Sequence, residues 1–174
     1  VEEDMGVHVD YNSIENYSKS LEKAISTSCK EYEKIGVYSE GYYKQINSNT
    51  LQIENEYYSS VRPKPDSDIE KRPSKALIEN GVDYIELRSI DNNIFLNSGI
   101  DICQMHFIEL LIIYCLFNPG PKISDDEYFE IKDNLKKVAH NGRNNETCLK
   151  VGERNLQINI AVKTLLDSLM EIAK

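Results

Sequence analysis

The sequence predicts an α+β protein in which helices surround an antiparallel sheet. Three observations carry that expectation. Several segments place apolar residues three and four apart, the spacing of one helical face. Two segments, "TLQIENEYYSSV" at 50–61 and "GVDYIELRSID" at 81–91, alternate in the manner of half-exposed strands. A chain of 174 residues that is 40% hydrophobic and 28% charged is also long enough, and apolar enough, to close a core.

The elements follow in order. Asn12 to Cys29 predicts a helix, with Asn12 and Glu15 as a capping box and Ile14, Tyr17, Leu21, Ala24, Ile25 and Ser28 along one face. Gly36 marks its end, or the end of a short extension. "VYSEGYYKQINSN" is a loop or hairpin leading into the first strand, where Leu51, Ile53, Asn55 and Tyr57 share one side and Gln52, Glu54, Glu56 and Tyr58 the other. Arg62 to Ser74 holds three prolines among many charges and predicts an exposed connection. "SKALIENG" is a short helix closed by Gly81, from which the second strand departs. "NNIFLNSG" is loop. The apolar run Ile100 to Phe117 is interrupted by Asp101, Gln104, His106 and Glu109, so it predicts a buried helix and not a membrane span. "NPGP" ends it. Ser124 and Glu127 open another helix, with Asp125 and Asp126 in its first turn, Ile131, Leu135 and Val138 along one face and Gly142 at its end. Ile158, Val162, Leu165, Leu169 and Ile172 predict a last one. The chain starts with Val and stops inside an amphipathic pattern, so a fragment of a longer protein is expected.

Charge narrows the partners. With 29 acidic and 20 basic residues the net charge is −9, which repels nucleic-acid backbones and anionic membrane surfaces. The densest basic stretch, "EKRPSK", contains its own Glu70. Neither nucleic acid nor membrane is expected as a partner. Cys29, Cys103, Cys115 and Cys148 are scattered without a C-x-x-C pair, which predicts a reducing, cytoplasmic setting.

The chemistry-bearing residues lie on the strands. Glu86 and Arg88 stand two apart, about 7 Å along one strand face, where a carboxylate could hold a divalent cation and a guanidinium could reach an oxygen of a phosphate bound to that cation. Glu54 and Glu56 could join them in one cleft. The alternative is a solvated face with a cross-strand ion pair. Cys103, His106 and Glu109 are spaced as part of a zinc site, but a structural site needs four ligands, which favours a buried thiol and a hydrogen-bonded histidine. No glycine-rich phosphate loop and no G-x-S-x-G stretch is present, so nucleotide chemistry here must rest on a sheet and carboxylates.

The segments "QINSNTLQIENEYYSSVRPKPD" and "GVDYIELRSIDNNIF", in that order, resemble the enterobacterial-type glutamate–cysteine ligases, also called gamma-glutamylcysteine synthetases. The resemblance implies a fold related to glutamine synthetase, an antiparallel sheet curved into a trough and surrounded by helices, incomplete here. Residues 1–174 would form the middle to C-terminal section of a single catalytic domain, working with the missing N-terminal part of its own chain. It further implies ATP-dependent joining of the gamma-carboxylate of L-glutamate to the amine of L-cysteine, with Mg2+, through a gamma-glutamyl phosphate. By the same resemblance Glu86 would be a Mg2+ ligand, Arg88 would stabilise the transferring phosphoryl group, and the Tyr58 hydroxyl would reach the cysteine carboxylate. The piece alone would be inactive. Two further readings stay open: a non-catalytic acidic interaction module, or another carboxylate–amine ligase of the same fold.

Overall fold

Helix α1 (Ile14–Ser26) organises the first of two units into which the chain divides, the one running to Asp91. The computed structural model describes residues 7–66 and 71–174. In it the N-cap of α1 is Ser13, whose Oγ accepts from the N–H of Asn16 at 3.1 Å. The Asn12 capping box expected from the sequence is thus displaced by one residue. Asn12 instead donates its N–H to Asp10 Oδ1 at 2.7 Å, and Ser13 takes the extended backbone that a cap requires. Tyr17, Leu21 and Ala24 then face inward at helical spacing and pack with Val9, Leu51 and Leu77 as the core. Helix α2 (Lys30–Ile35) ends at Gly36, as the glycine predicts. A tyrosine-rich hairpin follows, β1 (Tyr38–Ser39) and β2 (Tyr42–Tyr43). Its two-residue loop sets both Glu40 (φ 54°) and Gly41 (φ 86°) in the left-handed region, the signature of a type I′ turn.

The strand expected over 50–61 does not form. Glu56 Oε2 reaches back to accept from the N–H of Gln52 at 2.6 Å, and Glu54–Glu56 close into a 3-10 turn. Local hydrogen bonding by a carboxylate has overridden an alternating pattern. Glu54, only 4% exposed, accepts from Ser74 twice, from its N–H at 2.8 Å and its Oγ at 2.7 Å. Ser74 is the second residue of helix α3 (Pro73–Asn80), whose preceding residue Arg72 offers no side-chain cap. A carboxylate twenty positions upstream therefore supplies the cap, satisfying an orphan N–H and complementing the helix dipole. Helix α3 lies against α1, where Ser18 Oγ donates to the Ser74 carbonyl at 3.2 Å.

The first strand lies further on, inside the stretch expected to be connection. It is β3 (Val61–Lys64), paired antiparallel with β4 (Tyr84–Leu87), and the register sets Arg62 opposite Glu86 and Lys64 opposite Tyr84. Pro63 is tolerated because a strand of a two-stranded ladder has an outer side on which no N–H is needed. Residues 67–70 of the expected connection lie outside the described residues. Gly81 (φ 80°) closes α3 by donating to the Leu77 carbonyl at 2.9 Å, and its missing Cβ permits the turn into β4.

The second unit begins at Asn92. Helix α4 (Ile102–Phe117) opens with a capping box of Asp101 and Gln104 and packs against the last helix, α6 (Ile158–Ile172). The sequence predicts α4 as a buried helix, yet none of its residues is buried, and Leu116 and Phe117 are each 74% exposed. Its apolar residues encircle it, so one neighbouring helix covers only part of them. Cys103 is exposed too, in place of the expected buried thiol. Helix α5 (Asp125–Asn141) starts at Ser124, as predicted. A hairpin unforeseen in the sequence, β5 (Cys148–Val151) and β6 (Arg154–Gln157), precedes α6. Helix α5 holds its edge: Asn134 donates to the Lys150 carbonyl at 2.6 Å and accepts from the Lys150 N–H at 2.9 Å. The class is thus α+β, with three separate two-stranded antiparallel ladders among the described residues. No described helix is long and apolar enough to cross a membrane.

Two stability changes follow. Leu21→Ala should cost about 2–5 kcal/mol in urea denaturation of the protein at its natural length. Glu54→Ala should cost about 1–3 kcal/mol by leaving the Ser74 N–H without its acceptor, whereas Glu54→Gln, which keeps an acceptor oxygen, should lose less than half as much.

Candidate active site

The four side chains of interest come together at the β3–β4 ladder. Arg62, Lys64, Glu86 and Arg88 belong to one face, because antiparallel partners and residues two apart share a side. Arg88 lies one step past β4, but its N–H donates to the Ser60 carbonyl at 2.8 Å, so the ladder continues and fixes its spacing from Glu86. Arg62 is 5% exposed and lies against the buried phenol of Tyr17, whose pKa is pushed up to about 12 by burial and by neighbouring Tyr11. Lys64 and Arg88 remain to address Glu86.

The Glu86 carboxylate sits between these two cations. Its Oε1 accepts from Arg88 Nε at 2.7 Å, and its Oε2 is 3.3 Å from Lys64 Nζ. The bond from Arg88, with Lys64 second, holds the carboxyl below the usual carboxylate range. A depressed folded pKa means that this ion pairing stabilises the fold above the unfolded value of about 4.3 and fades as pH falls through the folded one. Tyr58 completes the group: the Arg88 guanidinium lies over its ring, 5.4 Å from the centroid, within cation–π range. Two cations around one carboxylate leave local positive charge on a chain whose net charge is −9. Such a face suits an anionic ligand.

Glu86 Oε2 is shielded from solvent and makes no hydrogen bond of proper geometry, Lys64 being an ion-pair neighbour only. An orphaned carboxylate oxygen of this kind fits a hard divalent cation, which would draw its remaining oxygens from water, phosphate and other carboxylates. Among the described residues no group of three metal-ligating side chains comes together.

Sequence reasoning finds Glu86, Arg88 and Tyr58, and the structure brings all three together. It does not bring Glu54 or Glu56 to this face: Glu54 caps α3 and Glu56 bonds its own loop. Lys64 is the member that sequence reasoning misses. Its signal is the two-residue spacing in "VRPK", which mirrors that in "YIELR". On α4, His106 Nδ1 lies 3.5 Å from Glu109 Oε2 at the surface.

The family model for glutamate-cysteine ligase matches residues 2–138. The chain is 36% identical over 171 residues to the glutamate–cysteine ligase of Shewanella oneidensis, covering 98% of this chain and 33% of that protein. It is 43% identical over 133 residues to that of Pseudomonas paraeruginosa, covering 76% and 25%. A crystal structure of the Francisella tularensis glutamate–cysteine ligase, in complex with AMP, superposes with a TM-score of 0.91 at 33% identity, over 96% of this chain and 34% of that one. The chain thus spans about a third of the length of such relatives. The charged ladder that the sequence and the structure single out therefore sits inside the matched span, and the chain belongs to the glutamate–cysteine ligase family.

Proposed function

We propose that the protein, at its natural length, joins the gamma-carboxylate of L-glutamate to the amine of L-cysteine at the expense of ATP, the first step of glutathione synthesis. Both units described above would be parts of one catalytic domain, the rest of the site coming from parts of the ligase outside this third. The observation that carries the reading is the group of Lys64, Glu86 and Arg88 on one face of the β3–β4 ladder, with the Tyr58 ring against Arg88, in a chain of this family. The four free cysteines agree with a reducing, cytoplasmic setting.

Each residue has a distinct task. Glu86 would hold Mg2+ through its orphaned Oε2; bound there, the ion would neutralise charge on the phosphates of ATP. Arg88, steered by its bond to Glu86 and by the Tyr58 ring, would stabilise the charge on the phosphoryl group as the glutamate carboxylate attacks it. The cysteine amine would then displace phosphate from the gamma-glutamyl phosphate. Tyr58, half exposed, has its hydroxyl available to donate to the cysteine carboxylate.

Steady-state kinetics of the protein at its natural length test these tasks. Glu86→Gln should lower kcat about 100-fold or more, with the protein still folded and its thermal midpoint lowered only by the loss of two partly exposed ion pairs. Tyr58→Phe should raise KM for cysteine about tenfold with KM for ATP unchanged. An unaltered KM for cysteine would remove Tyr58 from the cysteine site.

A further inference from the structure

Glu86 uses its two oxygens differently. Oε1 is committed to Arg88 by a short, well-aligned bond, whereas Oε2 has only the Lys64 ammonium, 3.3 Å away and not hydrogen-bonded. Among the described residues the Lys64 side chain has no charged partner besides Glu86. Its stem rises from β3 opposite Tyr84, its side chain is 27% exposed, and a lysine stem has several rotatable bonds by which the head can be redirected. A single ammonium on the one carboxylate oxygen that fits a divalent cation stands where that cation's charge would act. The two cannot both hold the same oxygen closely, since like charges there would repel.

We propose that Lys64 is an exchangeable counter-ion: its ammonium neutralises Glu86 Oε2 while the divalent-cation position is vacant, and moves to a phosphate oxygen of the nucleotide once the cation takes that oxygen. The inference rests on the assignment of Glu86 as a metal ligand. Charge accounts for both halves. Without ligand, Lys64 spares Glu86 a solvent-shielded oxygen with no counter-charge. With ligand, the displaced ammonium finds polyphosphate, for which a flexible point charge is a suitable partner. The same residue then opposes binding of the metal alone and favours binding of the metal with nucleotide. That opposition in sign separates it from an ordinary phosphate-binding lysine, which would affect only the second.

The test is Mn2+ binding followed by electron paramagnetic resonance on the protein at its natural length, first without nucleotide, then ATP titration with Mg2+ by calorimetry. Lys64→Met, which keeps the apolar stem, should bind Mn2+ alone about three- to fivefold more tightly, the scale of a partly exposed ion pair. It should bind ATP about tenfold or more weakly, the scale of a charged hydrogen bond. Lys64→Arg should act the other way on the metal, because a guanidinium grips a carboxylate through two bonds, and should bind Mn2+ alone more weakly than wild type. Unchanged or weaker Mn2+ binding by Lys64→Met, or unchanged ATP binding, overturns the proposal. Should Lys64→Met fail to fold by circular dichroism, Lys64→Arg decides, and Mn2+ affinity equal to or above wild type overturns it. Glu86→Gln separates the layers: if it leaves Mn2+ binding intact, the metal-ligand assignment itself falls, whereas if it weakens binding and the Lys64 variants do nothing, only the exchange falls.

Discussion

The buried carboxylate of Glu54, bonded to both the N–H and the hydroxyl of Ser74, is the constraint on which the candidate site depends. One arm of the site, Tyr58, leaves the 3-10 turn that Glu54 begins; the other, Glu86 and Arg88, leaves helix α3, whose N-terminus Glu54 caps. A single side chain thus joins the starting points of both arms. Taking an ionised group out of water is costly unless its oxygens are bonded, and here the helix N-terminus and a hydroxyl do that bonding. The Ser18 bond to the Ser74 carbonyl ties the same residue to α1 and so to the core. The geometry of the candidate site is in this way referred to the core of the first unit.

What the sequence discloses is what is local. The spacing of Glu86 and Arg88 needs only a strand, and "GVDYIELRSID" has no competing pattern, so β4 and its charged pair are legible. The helices are legible for the same reason, down to Gly36 and Gly81 at their ends. "TLQIENEYYSSV" misleads because its alternation is real, but the alternating carboxylates bond backbone: Glu56 to its own loop and Glu54 to a helix twenty residues away. Lys64 escapes notice since its partner Glu86 is distant in the chain and its prolines suggest a connection. Only the pairing of β3 with β4 makes a positive face out of residues that are scattered in a negative chain.

Both sides of that ladder leave apolar surface exposed, Tyr84 beside Glu86 among it. Val61 and Ile85, on the side away from Glu86, are about half exposed, and the apolar residues of α4 are exposed around most of the helix. Exposed apolar area on this scale has no role in a charged site. It accords with a chain that spans about a third of the length of its relatives, in which further polypeptide is available to cover such surfaces.

The amide of Asn134 has a consequence for how the second unit can associate. By accepting from the Lys150 N–H and donating to its carbonyl, a side chain on α5 imitates one residue of a neighbouring strand. The outer margin of β5 is thereby already occupied where an incoming peptide would have to begin its own ladder. One side-chain amide thus does for the β5 margin at Lys150 what a further strand would otherwise do, and ties the hairpin to α5 in place of a neighbouring sheet.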